Sequence, residues 1–340
     1  MEPYLLSSYP VEPSTMKVLP WHLNNWNRLT DQITQNKLPH AILISGAVGL
    51  GKLIIARNLA SLLLCKYSHN SIACDSCNSC LMIKANCHPD LTEISASEGR
   101  NIIVIDQIRE LIEKLDKTSH QGGWRIAIIK EAELLNTAAS NALLKTLEEP
   151  MSRGLIILTT ANVRLLTATI RSRCQLVSIQ SPSYDAVESW LTRRLSPEVD
   201  AKLLFSLSEN SPLKALKLGS KEFLERRKAI FKILYDLAIG HGDLEEAIAL
   251  TMESEIDELA LMLMGITLDL IKMKFLVSDH IVNRDKLNEL ETLVSRSIID
   301  NLMIYQKNLY KLREHIAGKF NLNRQLLLEA LFIDWSKCFA

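Results

Sequence analysis

One short stretch constrains what this 340-residue chain can fold into more than any other: Gly46-Ala47-Val48-Gly49-Leu50-Gly51-Lys52-Leu53. The apolar run Ala41-Ile42-Leu43-Ile44 before it reads as a short buried strand, and Ile54 to Ala60 after it as a helix. Strand, glycine loop and helix in that order are what a phosphate-binding P-loop requires. The glycines let successive backbone N–H groups turn toward a phosphate, and the positive end of the helix adds to the attraction. The pattern ends in Lys followed by Ser or Thr, whose hydroxyl holds magnesium. Here Lys52 is present but the last position is Leu53. The predicted phosphate cradle is therefore Gly46, Gly49, Gly51 and Lys52, with one magnesium contact missing.

A P-loop enzyme also needs an acid at the end of a nearby strand to hold the same ion. The candidate strand is Arg125 to Ile129, and the acid's position holds Lys130. An ammonium repels a divalent cation. Glu131 remains where a water-activating glutamate would lie. Two losses on one ion predict a frame without hydrolysis.

Four of the seven cysteines fall within sixteen positions: Cys65, Cys74, Cys77 and Cys80. The spacing C-x8-C-x2-C-x2-C brings four thiolates to one centre, which predicts a closed, structural zinc site with an iron–sulfur cluster as the alternative. Cys87, Cys174 and Cys338 fall outside the spacing and read as a spare thiol and two packing residues.

The remaining chain alternates strands and helices as far as Pro182. Trp21 to Lys37 is a predicted helix, Pro89 to Ile94 a strand, Ile105 to Leu115 a helix, Thr137 to Glu149 a helix stopped by Pro150, and Leu155 to Thr159 and Leu176 to Ile179 strands. Apolar strands alternating with helices predict a parallel sheet covered on both faces. Beyond Pro182 only helices are expected: Lys221 to Ile239, Asp243 to Leu276, Asp285 to Ala317 and Arg324 to Cys338. Residues 1–15 read as a disordered tail, with the first domain opening at Met16. A formal net charge of +0 argues against coating nucleic acid by charge alone. The apolar region Leu259 to Leu276 carries Asp269, Lys272 and Lys274, so it reads as a buried helix and not a membrane span. With no basic-then-apolar leader, the expected location is cytoplasmic.

The order of these features carries a resemblance. P-loop, four-cysteine insertion, degenerate acid strand, Asn141-Ala142-Leu143-Leu144-Lys145-Thr146-Leu147-Glu148-Glu149-Pro150, and Arg171-Ser172-Arg173-Cys174 together resemble the bacterial clamp-loader subunits of the AAA+ class. Asn86 to Asp90 and the turn Gln121-Gly122-Gly123 are most similar to the delta-prime branch of DNA polymerase III clamp loaders. The tail Asn321 to Glu329 is similar too, more weakly. The gamma/tau ATPase branch shares the cysteines, the Asn141–Pro150 segment and Ser-Arg-Cys, but has the hydroxyl and the acid missing here.

The resemblance implies an α/β AAA+ core over 16–180 with a zinc-binding insertion at 65–80, a helical lid over 181–220 and a C-terminal helical collar over 221–340. It implies a hetero-pentamer with gamma/tau and delta subunits that loads a sliding clamp onto primer–template DNA. It implies an assembly that belongs to a DNA-directed DNA polymerase, a nucleotidyltransferase, in which this chain is expected to have no polymerase or ATPase activity of its own. It also implies that Arg173 faces the nucleotide of a neighbouring subunit as an arginine finger. The rival reading within the family is an active gamma/tau-like ATPase using Glu131. Outside it, a zinc-dependent nucleic-acid module is the other option, but the insertion lacks dense basic and aromatic residues.

Other residues read as structural. Thr159, Thr160 and Asn162 stand where AAA+ proteins sense the γ-phosphate, but with the magnesium site disabled, turn chemistry is the expected role. Lys214 stands where active relatives place an arginine, and an ammonium cannot fork onto a phosphate. Trp190 and Trp335 read as packing, Arg193 and Arg194 as solvated.

Overall fold

The computed structural model describes residues 18–96, 102–117, 123–149, 151–277, 281–317 and 323–339. The expected tail over 1–15, Gln121-Gly122 of the predicted turn, Pro150 and Asn321-Leu322 lie outside the described residues. Two compact units divide the chain: residues 1–190 with 211–214, and 191–210 with 215–340.

The first unit is built on a five-stranded parallel sheet: β1 (Ala41–Ser45), β2 (Leu91–Ile94), β3 (Arg125–Ile129), β4 (Gly154–Thr160) and β5 (Gln175–Ser178), in the order β2-β3-β4-β1-β5. All described pairings are parallel, with Ile42 opposite Ile157 on one side and Gln175 on the other. Alternation along the strands divides the side chains between two faces. Ile42, Ile44, Ile126, Ile128, Leu155, Ile157 and Val177 pack against α1 (Leu23–Thr34), α2 (Lys52–Leu64) and α3 (Asn78–Lys84). Leu43, Ala127, Ile129, Ile156 and Leu158 pack against α4 (Ile105–Asp116), α5 (Thr137–Glu148) and α6 (Ala168–Arg173). Covering on both faces is why β1 and β4 read as unbroken apolar runs. All of their residues are buried.

Local signals set the ends of the helices. Asn136 caps α5 by accepting from the Ala139 amide at 2.7 Å, and Thr167 caps α6 through the Ile170 amide. A 3-10 turn over Pro20–His22 precedes α1. The helices α7 (Tyr184–Thr192), α8 (Ala201–Leu207) and α9 (Pro212–Leu218) follow the sheet, and the chain passes between the units within α7, between Asn210 and Ser211, and within α9.

The second unit is helical among its described residues: α8, then α10 (Lys221–Ala238), α11 (Leu244–Thr251), α12 (Ile256–Lys274), α13 (Leu287–Arg296), α14 (Ile299–Ala317) and α15 (Arg324–Ser336). Two helices expected to be continuous are broken. The span from Asp243 divides at Met252–Glu255, where the Arg324 guanidinium bonds the freed carbonyls of Thr251 and Ser254. The span from Asp285 divides at Ser297, which bridges to Phe339. Both breaks are held by the C-terminal segment, so periodicity along a single helix could not reveal them. Trp335 is fully buried and donates from Nε1 to the Leu234 carbonyl at 2.8 Å. Buried Arg227 joins both carboxylate oxygens of the exposed Asp285 and buried Asn283, whose amides in turn bond buried Asp269.

No helix among the described residues is long and apolar enough to cross a membrane.

Candidate nucleotide corner, finger and metal cluster

The glycine loop has the backbone of a phosphate cradle. Gly49 and Gly51 hold φ of 84° and 79°, a region that disfavours any side chain. A Cβ on Gly46 would sit 2.6 Å from the Ile179 carbonyl oxygen. Val48 and Gly49 form a turn within the loop.

The loop's other groups are bound by the protein itself. Lys52 Nζ donates back to the Gly46 and Ala47 carbonyls at 2.8 and 2.9 Å. Burial lowers its pKa, against the opposing pull of Glu133 and Glu131. Ser211 Oγ donates to the Val48 carbonyl at 2.7 Å, and the Leu213 amide to Gly49 at 3.2 Å. The Leu50 carbonyl accepts from Trp21 Nε1 at 2.9 Å and lies 2.7 Å from His22 Nε2. A carbonyl can only accept, so His22 carries its proton on Nε2. Burial pushes His22 down to about 4, partly offset by this bond. Trp190 meets Trp21 edge to face at 4.9 Å. Leu53 is packed against the core on the α2 side of the sheet.

Lys130 is drawn toward the outer strand. Its Nζ lies 2.8 Å from Glu93 Oε2, and Arg57 bonds the same carboxylate through Nε at 2.5 Å and Nη2 at 2.7 Å. The side chains of Arg57, Glu93 and Lys130 are 14%, 16% and 17% exposed, so the three charges form a mostly buried triad. Burial raises the Glu93 pKa, but Arg57 and then Lys130 outweigh it and hold the carboxylate below its ordinary value. The position of a magnesium acid thus carries a cation already paired with protein. Thr159 Oγ1 accepts from the Glu131 amide, Thr160 Oγ1 from Asn162, and Asn162 Oδ1 from Arg164. The Thr160 and Asn162 bonds are local turn chemistry, whereas the Thr159 bond joins β4 to the second residue after β3.

Arg173 lies at the end of α6. Its Nη2 meets Glu148 Oε1 on α5 at 2.5 Å, and its Nη1 donates to the Thr169 carbonyl at 3.0 Å. The two side chains are 33% and 50% exposed.

The four predicted cysteines converge. All four Sγ atoms lie within 4.8 Å of one another, with Cys65–Cys77 and Cys74–Cys80 each at 4.0 Å. Tetrahedral bonds of 2.3 Å put sulfurs about 3.8 Å apart, so this cluster has the size of a four-thiolate zinc site. The Cys74 amide donates to Cys65 Sγ and the Cys77 amide to Cys74 Sγ, at 3.2 and 3.3 Å. Such bonds orient and stabilise ligating thiolates. Cys87 is exposed and outside the cluster.

Sequence reading missed Glu93, Arg57, Glu148 and the two rings on Leu50. Glu93 gave one signal, a charged residue in a strand of a sheet covered on both faces. Glu148 gave none outside its motif, because its partner is 25 positions away.

Residues 21–183 match the family described as "DNA polymerase III, delta subunit", and residues 221–337 that described as "DNA polymerase III, delta subunit, C terminal". The DNA polymerase III subunit delta' of Pseudomonas aeruginosa is 30% identical over 94% of this chain and 97% of its own length. That of Escherichia coli is 28% identical over 94% and 95%. Among solved structures, a DNA polymerase III gamma subunit-related protein from Thermotoga maritima matches 91% of this chain and 99% of its own at 17% identity, with a TM-score of 0.47. Near-complete coverage at this identity defines the family: the chain belongs to the DNA polymerase III delta-prime subunits.

Proposed function

We propose that this chain is a non-hydrolysing member of a clamp loader, which completes a neighbouring subunit's ATP site with Arg173. It works with gamma/tau and delta subunits to place a sliding clamp on primer–template DNA. Its core (16–180), lid (181–220) and collar (221–340) serve assembly and finger presentation, not turnover. The observation that carries this reading is the Lys130–Glu93–Arg57 triad, which commits the magnesium acid's position to protein pairing. Leu53, packed into the core, supports it from the other side of the same ion. A guanidinium brought to a neighbour's nucleotide stabilises charge on the transferring phosphoryl group.

Cys65, Cys74, Cys77 and Cys80 would hold a structural zinc. A closed four-sulfur site supplies folding energy and no chemistry. Elemental analysis of the purified chain should give one zinc per chain, and Cys77→Ser should lower the melting temperature by several degrees. No zinc and an unchanged melt would reject the metal.

The competing reading, an active ATPase, has the left-handed Gly49 and Gly51 backbone of the glycine loop in its favour. ATPase assays of the purified chain with magnesium decide between them. We expect no turnover above background for the wild type. Robust magnesium-dependent turnover would overturn the proposal.

A further inference from the structure

We infer that Glu148 is a positioning residue for Arg173, holding the guanidinium in the geometry in which it is presented to the neighbouring nucleotide. The inference rests on the finger reading above and goes beyond it by naming what aims the finger.

Arg173 stands on the last residue of a six-residue helix, α6, and ends where β5 begins. A long side chain there has many rotamers, and a finger works only from a narrow set of them. Three contacts restrict it, the longest of them from Nη1 to Ser172 Oγ at 3.5 Å. Nη1 is tied to the carbonyl of Thr169 on its own helix, which fixes the stem along α6. Nη2 is tied to Glu148 Oε1 on α5, which fixes the plane of the fork. Two anchors on two helices define an orientation where one would leave a rotor. A guanidinium has five N–H donors; Nη1 bonds Thr169 and Ser172, and Nη2 bonds Glu148, which leaves Nε and the second N–H of Nη2 outside these contacts. Donors therefore remain for a phosphate.

The helix that carries Glu148 is well fixed for this task. Leu143 and Leu147 of α5 are buried in the same face of the sheet as Ile170 of α6. The carboxylate is therefore carried by a rigid element. Its half-exposure keeps the pair weak, so Arg173 can share its remaining donors without breaking a deep ion pair.

The test is a double-mutant cycle in the fully assembled clamp loader, reading steady-state ATPase as kcat and KM with the clamp and primed DNA present. Glu148→Ala should lower kcat about tenfold with KM little changed, because a misaimed finger acts on the transition state. Arg173→Ala should lower it further, and adding Glu148→Ala to Arg173→Ala should cost nothing more. Glu148→Gln, which keeps an acceptor, should recover part of the rate. A loss from Glu148→Ala that persists undiminished beside Arg173→Ala would overturn the inference. So would an unchanged or raised rate in Glu148→Ala. If Arg173→Ala itself has no effect, the finger reading fails, which is a separate outcome.

Discussion

Two arginine–glutamate pairs in this molecule have the same 2.5 Å closest approach and opposite meanings. Arg57–Glu93 is mostly buried and carries a third member, Lys130. Arg173–Glu148 is a third to a half exposed and lies at the end of a short helix. In the first pair every charge is committed, and its carboxylate also holds Lys130. In the second the guanidinium is oriented but not consumed. The chemistry a motif can do depends on what its side chains are already bound to. The glycine loop teaches the same lesson, since Lys52 and the loop carbonyls bond protein groups.

Removing each carboxylate should separate the two pairs most widely. Glu93→Ala leaves two nearly buried cations without a counter-charge, and should cost about 3 kcal/mol or more of stability in urea unfolding. Glu148→Ala should cost under about 1 kcal/mol, since exposed pairs contribute little. Similar losses from both would break the contrast.

His22 gives the next effect. Its pKa in the folded chain is lowered to about 4, so the folded state stays neutral while the unfolded chain takes up a proton below about 6.5. Its stabilisation is complete above about 6.5 and is lost progressively as pH falls toward 4, amounting to about 3 kcal/mol at the lower end. His22→Gln keeps a donor for the Leu50 carbonyl and should flatten the pH dependence of unfolding over that window. An unchanged slope in the variant would remove His22 from the account of this corner.

Much of this was legible in the residues. The strand Arg125–Ile129 has the predicted bounds, and the other strands differ by one or two residues at their ends. Their buried apolar runs and flanking turns have no competing structure to adopt. Leu53 and Lys130 could be read from the sequence because a missing hydroxyl and a cation in an acid's place are local identities that count together. The four cysteines were legible because ligand spacing is local. The triad was not, because Glu93 and Lys130 meet through β2–β3 pairing, with Ile94 opposite Ile129. The breaks at Met252–Glu255 and Ser297 also escaped, since the groups that hold them come from the chain's end. What sequence conveys well is local identity, and what it hides is which distant partner has already claimed a charge.

The most direct test of the central claim, that this chain acts through Arg173 on another subunit's nucleotide, is the ATPase rate of the assembled clamp loader carrying Arg173→Ala. The account predicts a fall on the order of a thousandfold at the site this arginine completes, with assembly intact by size-exclusion chromatography. A fully assembled loader with that site turning over at the wild-type rate would contradict it.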